Sequence, residues 1–251
     1  RAGFLITASA PIYSPIIKNN LVENFNGGII MQYPTNAYIG NNKFVRVSVG
    51  NIFLAAGIKS IIENNTFLFS GNNIVGDAID VIDSKNITIR NNYIASGSCY
   101  SIVIMRSQYI YLLGNTISDG ITYGIYITDK FNSTDTYGKH LIALQRLNSH
   151  GTDATPNKYI LINNNLLMQN RYGLTAKNVD YLTVINNIFI QQFTSNESRK
   201  FWTNNDVLFK NISNVVWDNN YYREAFTQVN KESNELSYKW ANIPLHGGVD
   251  L

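Results

Sequence analysis

The chain has 251 residues, of which 45% are apolar and 15% charged, with a formal net charge of +3. The apolar share is enough for a buried core and excludes global disorder. The weak, scattered charge excludes a nucleic-acid footprint, and the missing Ala/Leu/Glu/Lys bias excludes a coiled coil or helical bundle. The composition is instead dominated by 36 Asn and 32 Ile, with 16 Tyr and a single Cys99. One thiol cannot form an internal disulfide framework, and no Cys/His group has zinc spacing, so neither metal nor cofactor is expected. A lone thiol fits a reducing compartment or a scaffold that needs no staples. No run of eighteen apolar residues exists, so no membrane span is expected.

In chain order, the start Arg1-Ala-Gly-Phe-Leu-Ile6 lacks the basic and long apolar regions of a signal peptide. A mature or excised piece of an exported protein fits equally. From there one pattern recurs: apolar, any, Asn, Asn, any, apolar. It appears as Ile17-Lys-Asn-Asn-Leu-Val22, Ile39-Gly-Asn-Asn-Lys-Phe44, Ile62-Glu-Asn-Asn-Thr-Phe67 and Ile89-Arg-Asn-Asn-Tyr-Ile94. Leu112-Leu-Gly-Asn-Thr-Ile117, Ile162-Asn-Asn-Asn-Leu-Leu167, Val184-Ile-Asn-Asn-Ile-Phe189 and Trp217-Asp-Asn-Asn-Tyr-Tyr222 continue it. The marker Asn falls at 20, 42, 65, 92, 115, 165, 187 and 220, at intervals of 22, 23, 27, 23, 50, 22 and 33. An apolar strand keeps the same beat at Gly28-Ile-Ile-Met31, Asn51-Ile-Phe-Leu54, Ala78-Ile-Asp-Val81, Ser101-Ile-Val-Ile104, Gly124-Ile-Tyr-Ile127, Gly173-Leu-Thr-Ala176 and Asp206-Val-Leu-Phe209. Each period therefore holds about three short strands separated by turns.

A period this short is no propeller blade, and Ile and Asn stand where a leucine-rich repeat needs Leu. The packing solution is an all-β fold, a right-handed parallel β-helix of about eight coils, stacked at roughly 4.8 Å so that equivalent residues form columns. Ile29, Ile52, Ile79, Ile102, Ile125, Leu174 and Val207 are expected to form one interior column. The asparagines are expected to stack as amide ladders and to serve the turns. The β-helix is expected to span residues 1–222, with insertions at 128–157 and 191–205, and residues 223–251 to cover the last coil. The uncapped first coil suggests a piece of a longer chain.

On these repeats, residues 15–222 resemble the pectin-lyase-like superfamily of right-handed β-helices, which holds pectate and alginate lyases, polygalacturonases, mannuronan epimerases and phage tailspike depolymerases. Residues 77–97 are similar to a polygalacturonase segment, with Asp77 and Gly97 on two of its motif positions. Its two following catalytic aspartates are replaced here by Ser98 and Cys99, and Thr122-Tyr123-Gly124 stands where a Gly-His-Gly would be. The resemblance implies recognition and cleavage of a bacterial surface polysaccharide in the tailspike manner, by hydrolysis or by elimination at a uronate. A capsule, a lipopolysaccharide or a uronate-containing glycan is the implied partner, with no nucleic acid and no membrane. A virion tail or the extracellular space is the implied location, and a homotrimer the implied assembly. A secreted lyase or epimerase, and a non-catalytic stalk or receptor-binding module, are the alternatives.

The columns nominate residues for that chemistry. Tyr100, Tyr123 and Tyr172 precede the strand on successive coils as a sugar platform. Asp83, Arg106 and Asp129 follow it. The two carboxylates are about 10 Å apart across two coils, near the separation of about 6.5–9.5 Å used in inverting hydrolysis, with Arg106 between them as a fork for a sugar carboxylate; the alternative is an ion-pair ladder that relieves repulsion along the column. Asp80 and Tyr126 are expected to face solvent as a second acid and base. His140 and His150, in the long insertion, are further acid–base candidates. Lys177 and Lys210 share a column suited to an acidic glycan. The site is therefore expected beside Asp80, Asp83, Arg106, Tyr126 and Asp129, walled by the insertion that carries His140.

Overall fold

The computed structural model describes residues 2–6, 10–48, 50–68, 77–95, 100–118, 123–129, 156–170, 172–190, 205–223, 230–232 and 235–238. Among these residues there is no helix, and the strands wind into a parallel β-solenoid with three faces. The first face contains Ala2–Ile6, Gly27–Gln32, Gly50–Ala55, Asp77–Ile82, Tyr100–Met105 and Tyr123–Thr128, followed by the early parts of Tyr172–Ile185 and Asn205–Asp218. The second contains Ile58–Glu63, Lys85–Arg90, Gln108–Leu113 and Asn157–Asn163, continued by the later parts of those two long strands. The third is a separate sheet of eight three-residue strands, from Leu21–Glu23 to Tyr221–Arg223. Six of the eight coils have a hydrogen-bonded coil on both sides, so the fully enclosed solenoid is about six turns, slightly fewer than the eight Asn-marked repeats.

The interior column is the one read from the repeat. Ile29 pairs with Ile52, Ile52 with Ile79, Ile79 with Ile102, Ile102 with Ile125, Ile125 with Leu174 and Leu174 with Val207. From Ile29 to Leu174 these side chains are fully buried in one continuous core. Ile39, Ile62, Ile89, Leu112, Ile162 and Val184 make the matching column of the second face, and Phe44 stacks on Phe67 at 4.8 Å in that of the third.

The two residues of each Asn pair divide the turn between them. The first takes the left-handed backbone that the corner needs: Asn19, Asn41, Asn64, Asn91, Asn164, Asn186 and Asn219 all have φ between 50° and 61°, with Gly114 at 62° in the remaining coil. The second points inward and builds the ladder. Asn65 donates through its Nδ2 to Asn92 Oδ1 at 3.1 Å, Asn92 to Asn115 at 3.0 Å, and Asn115 to Asn165 at 3.0 Å. Each backbone N–H follows the same route, and each amide also donates to a carbonyl of the preceding coil. The ladder thereby satisfies polar groups that would otherwise be buried and unpaired.

The coil marked by Asn115 stacks directly on that marked by Asn165: Thr116, Ile117 and Ser118 pair with Leu166, Leu167 and Met168. Residues 130–155 lie outside the described residues, as do 191–204. Near the C-terminus an antiparallel strand, Glu235–Tyr238, hydrogen-bonds along the edge of the last coil, with Val207 opposite Tyr238 and Lys210 opposite Glu235.

Candidate functional site on the first face

The strand Asp77–Ile82 is buried at every position. Alternation sends Ile79 and Val81 inward and Asp80 outward, into a column with Phe53 before it and Val103, Tyr126 and Thr175 after it. This corrects the expectation that Asp80 and Tyr126 face solvent: they are 1% and 7% exposed. The physical reason is that the outer side of the first face carries its own packing. Phe53, Ala55, Ile82 and Met105 form one outer cluster with Ile30, and Tyr100, Val103 and Tyr126 form a second with Tyr123. Strands covered on both sides read as nearly continuous apolar runs, and Tyr100-Ser-Ile-Val-Ile-Met105 is such a run.

Asp77 begins the same strand, fully buried. Its Oδ1 accepts the backbone N–H of Tyr100 at 3.1 Å, and its carbonyl accepts the side-chain amide of Asn51 at 2.9 Å. The tyrosine column stands next to it. Tyr100 stacks on Tyr123 at 5.2 Å, Tyr123 on Tyr172 at 4.8 Å, and Tyr126 tilts against both Tyr100 and Tyr123. The flat faces therefore pack on one another, and Tyr100 is itself buried. Lys177 closes the row, its Nζ 5.6 Å from the centroid of the Tyr126 ring. Lys177 pairs with Lys210 on the next coil. Over four coils, two carboxylates, four phenols and an ammonium thus share one outer surface. Tyr123, Tyr172 and Lys177 form its half-exposed side.

The turn after the strand holds the expected charged column in closed form. Arg106 donates through Nε to Asp83 Oδ1 at 2.6 Å and through Nη2 to Asp83 Oδ2 at 2.7 Å, a two-pronged fork. Asp83 and Arg106 both have left-handed backbones, at φ 52° and 47°. Asp129 accepts from Asn178 Nδ2 at 2.5 Å, and Asn178 accepts from Asn211 at 3.1 Å. The structure thus brings Asp83, Arg106 and Asp129 onto one column but couples both Asp83 oxygens to Arg106. His140, His150 and Cys99 lie outside the described residues.

Sequence reasoning quoted Asp77 but did not place it in the site. The signal was present: on the two preceding coils the same column holds Gly27 and Gly50, which the backbone alone satisfies, whereas a carboxylate needs a partner. Among the described residues no three His, Cys, Asp or Glu side chains come together as a metal site. Among the described residues no helix is long and apolar enough to cross a membrane.

The model of the right handed beta helix region matches residues 8–139, just over half of the 251. The chain belongs to the right-handed β-helix family. A comparison with curated protein sequences finds no match. Several solved β-helices are similar in shape. The A-module of an Azotobacter vinelandii mannuronan C-5 epimerase has 11% identity and a TM-score of 0.48, over 84% of this chain and 62% of that one. The Streptococcus pneumoniae surface protein and adhesin PfbA has 11% identity and a TM-score of 0.43, over 88% and 78%. A mutant tailspike of E. coli bacteriophage HK620, in complex with a pentasaccharide, has 12% identity and a TM-score of 0.34, over 84% and 43%. The β-helix described here thus spans less than two thirds of the epimerase module.

Proposed function

We propose that the protein recognises and cleaves a bacterial surface polysaccharide laid along the first face, in the manner of a tailspike depolymerase. The observation that carries this reading is the buried pair Asp77 and Asp80. Burying a carboxylate costs several kcal/mol unless it is compensated. The coils on either side of Asp80 fill the same column with Phe53 and Val103, so the packing itself has no need of an acid there. Strands that place acids against packing preference are characteristic of reacting sites.

In this reading the glycan meets the half-exposed side of the face, Tyr123, Tyr172 and Lys177, with Asp80 and Tyr126 behind them as the acid and base, and Lys177 neutralises an acidic group of the sugar. In hydrolysis, one group protonates the glycosidic oxygen as the C–O bond breaks, and the other takes a proton from the attacking water. In elimination at a uronate, the base takes the C5 proton, the electron pair forms the C4–C5 double bond, and the leaving oxygen receives a proton from the acid. Asp83 and Arg106 act as a brace at the end of the strand. Such an activity belongs outside the bacterial cell, on a virion tail or as a secreted protein, and a trimer is the expected assembly.

The test is Asp80→Asn, assayed on a panel of capsules and lipopolysaccharides beside Asp83→Asn. Asp80→Asn should slow cleavage about 100-fold or more at an unchanged melting temperature, whereas Asp83→Asn should change the rate only a few-fold. Product mass decides the chemistry, because hydrolysis adds water and elimination leaves an unsaturated uronate. Near wild-type cleavage by Asp80→Asn would remove the reacting site from this strand. A wild-type protein that binds but cleaves none of the panel would establish the non-catalytic module, a reading that the closed Asp83–Arg106 and Asp129–Asn178 contacts favour.

A further inference from the structure

The second face bends at one residue per coil, six positions before each ladder Asn. Asn36, Asn86 and Asn214 fill this column on three coils, with φ of 55°, 57° and 53°. Tyr109, Tyr159 and Tyr181 fill it on three consecutive others, with φ of 56°, 55° and 60°. Asn enters the left-handed region readily, whereas a bulky residue does so at about 1–2 kcal/mol. The bend therefore does not explain three tyrosines in succession.

Their rings stack at 4.8 Å and 16° in both steps. Tyr159 and Tyr181 nevertheless remain 41% and 45% exposed. The flat faces are taken up by one another, so the stack presents a row of ring edges and phenol hydroxyls that repeats with the coil. Lys85 Nζ stands 5.4 Å from the centroid of the Tyr109 ring, and Lys59 is exposed one coil earlier. Lys158 lies beside the stack, 3.7 Å from Asp180, whose carboxylate also accepts from Ser213 and Asn214. Three lysines against one engaged aspartate make the stripe locally basic.

We propose that this ladder is a second binding stripe, on a different face from the buried acids, that holds a linear anionic polysaccharide parallel to the coil axis. A ligand built of repeating units matches a surface that repeats every coil. Phenol hydroxyls and ring edges meet sugar hydroxyls and C–H groups, and the lysines meet carboxylates or sulfates. The inference stands beside the first-face reading and does not depend on it.

Affinity electrophoresis in gels containing alginate or polygalacturonate, with dextran as the neutral control, tests it. The wild type should be retarded by an acidic polymer and not by dextran. The double variant Tyr159→Asn/Tyr181→Asn keeps a residue type this column already uses, and should lose the retardation at an unchanged melting temperature. Lys85→Gln/Lys158→Gln should weaken binding about tenfold and flatten its salt dependence. Lys43→Gln, which removes an exposed lysine on the third face, should bind like the wild type. Retention of full binding by the tyrosine double variant or by the lysine double variant overturns the proposal. So does equal retardation by dextran, loss of binding in Lys43→Gln, or a wild type retarded by neither acidic polymer.

Discussion

Asn91 and Asn92 are adjacent in sequence and opposite in task, and substitution separates them. Asn92 is 1% exposed; it donates to Asn115, Ile62 and Arg90, and accepts from the Asn65 backbone and amide. Asn92→Ala leaves buried donors and acceptors without partners and should cost about 3 kcal/mol or more. Asn91 has φ 53°, so Asn91→Ala should cost about 1–2 kcal/mol and Asn91→Gly close to nothing. Urea unfolding of the three variants checks the order, and an Asn92→Ala as stable as Asn91→Gly would refute the ladder's role. Glu63 provides a pH test on the same turn. A hydrogen bond from Arg90, reinforced by one from Tyr38, holds its carboxyl below the usual glutamate range, while desolvation opposes the shift. A depressed carboxylate contributes stability above its unfolded pKa and loses it as pH falls through the lower folded value. The stability difference between the wild type and Glu63→Gln should therefore shrink as the solution is acidified below the ordinary glutamate range. Because Arg90 is 45% exposed, the whole difference should stay under about 1 kcal/mol and fall with added salt.

Between elements, the distance from one coil to the next is set where backbones touch. A Cβ on Gly124 would lie 2.7 Å from the carbonyl oxygen of Gly173, a backbone atom that cannot swing aside. A Cβ on Gly50 would meet nothing nearer than an oxygen of Asp80 at 3.8 Å. Gly124→Ala should force apart the strands carrying Tyr123 and Tyr172 and cost about 1–3 kcal/mol, while Gly50→Ala should be tolerated. Equal melting temperatures for the two would count against so tight a contact. The same strands show what was legible beforehand. Coil, register and interior column follow from the Asn pairs, because each pair marks a corner and fixes every position around it. The cover over Asp80 and Tyr126 was not legible, since period-2 alternation separates inside from outside but does not say whether the outside is dry. The tyrosines at 109, 159 and 181 were legible in principle, each six residues before a ladder Asn, but the turn column they occupy looks like loop until coils are aligned. The fork between Arg106 and Asp83 was legible as an ion-pair ladder, but the column positions do not say which of the two carboxylates the arginine chooses.

At the scale of the molecule, each coil contacts only its neighbours, so stability should be the sum of coil terms and interface terms rather than one global quantity. Among the described residues the coil marked by Asn20 is hydrogen-bonded to one neighbour, whereas the inner coils are bonded to two. Its core side chains Ile17 and Val22 are 7% and 2% exposed, whereas their counterparts Ile89 and Ile94 in the fourth coil are fully buried. Its backbone is nevertheless bonded to the next coil: the Asn19 N–H donates to Gly40 at 3.2 Å and the Asn24 N–H to Val45 at 3.1 Å. The Asn91 N–H donates to Leu113 at 3.0 Å, a nearly equivalent bond in the middle of the stack. Local geometry therefore predicts similar protection for these amides, whereas the nearest-neighbour account predicts a gradient. In native-state hydrogen exchange of the 251-residue chain, Asn19 and Asn24 should exchange about 100-fold faster than Asn91, through opening of the first coil alone. Ile17→Ala should accelerate Asn19 without changing Asn91, and Ile89→Ala should accelerate both, because opening a central coil disconnects the ones beyond it. Uniform exchange across the three amides, or an Ile17→Ala effect that reaches Asn91, would show that the solenoid opens as one unit and that the coil-by-coil description is wrong.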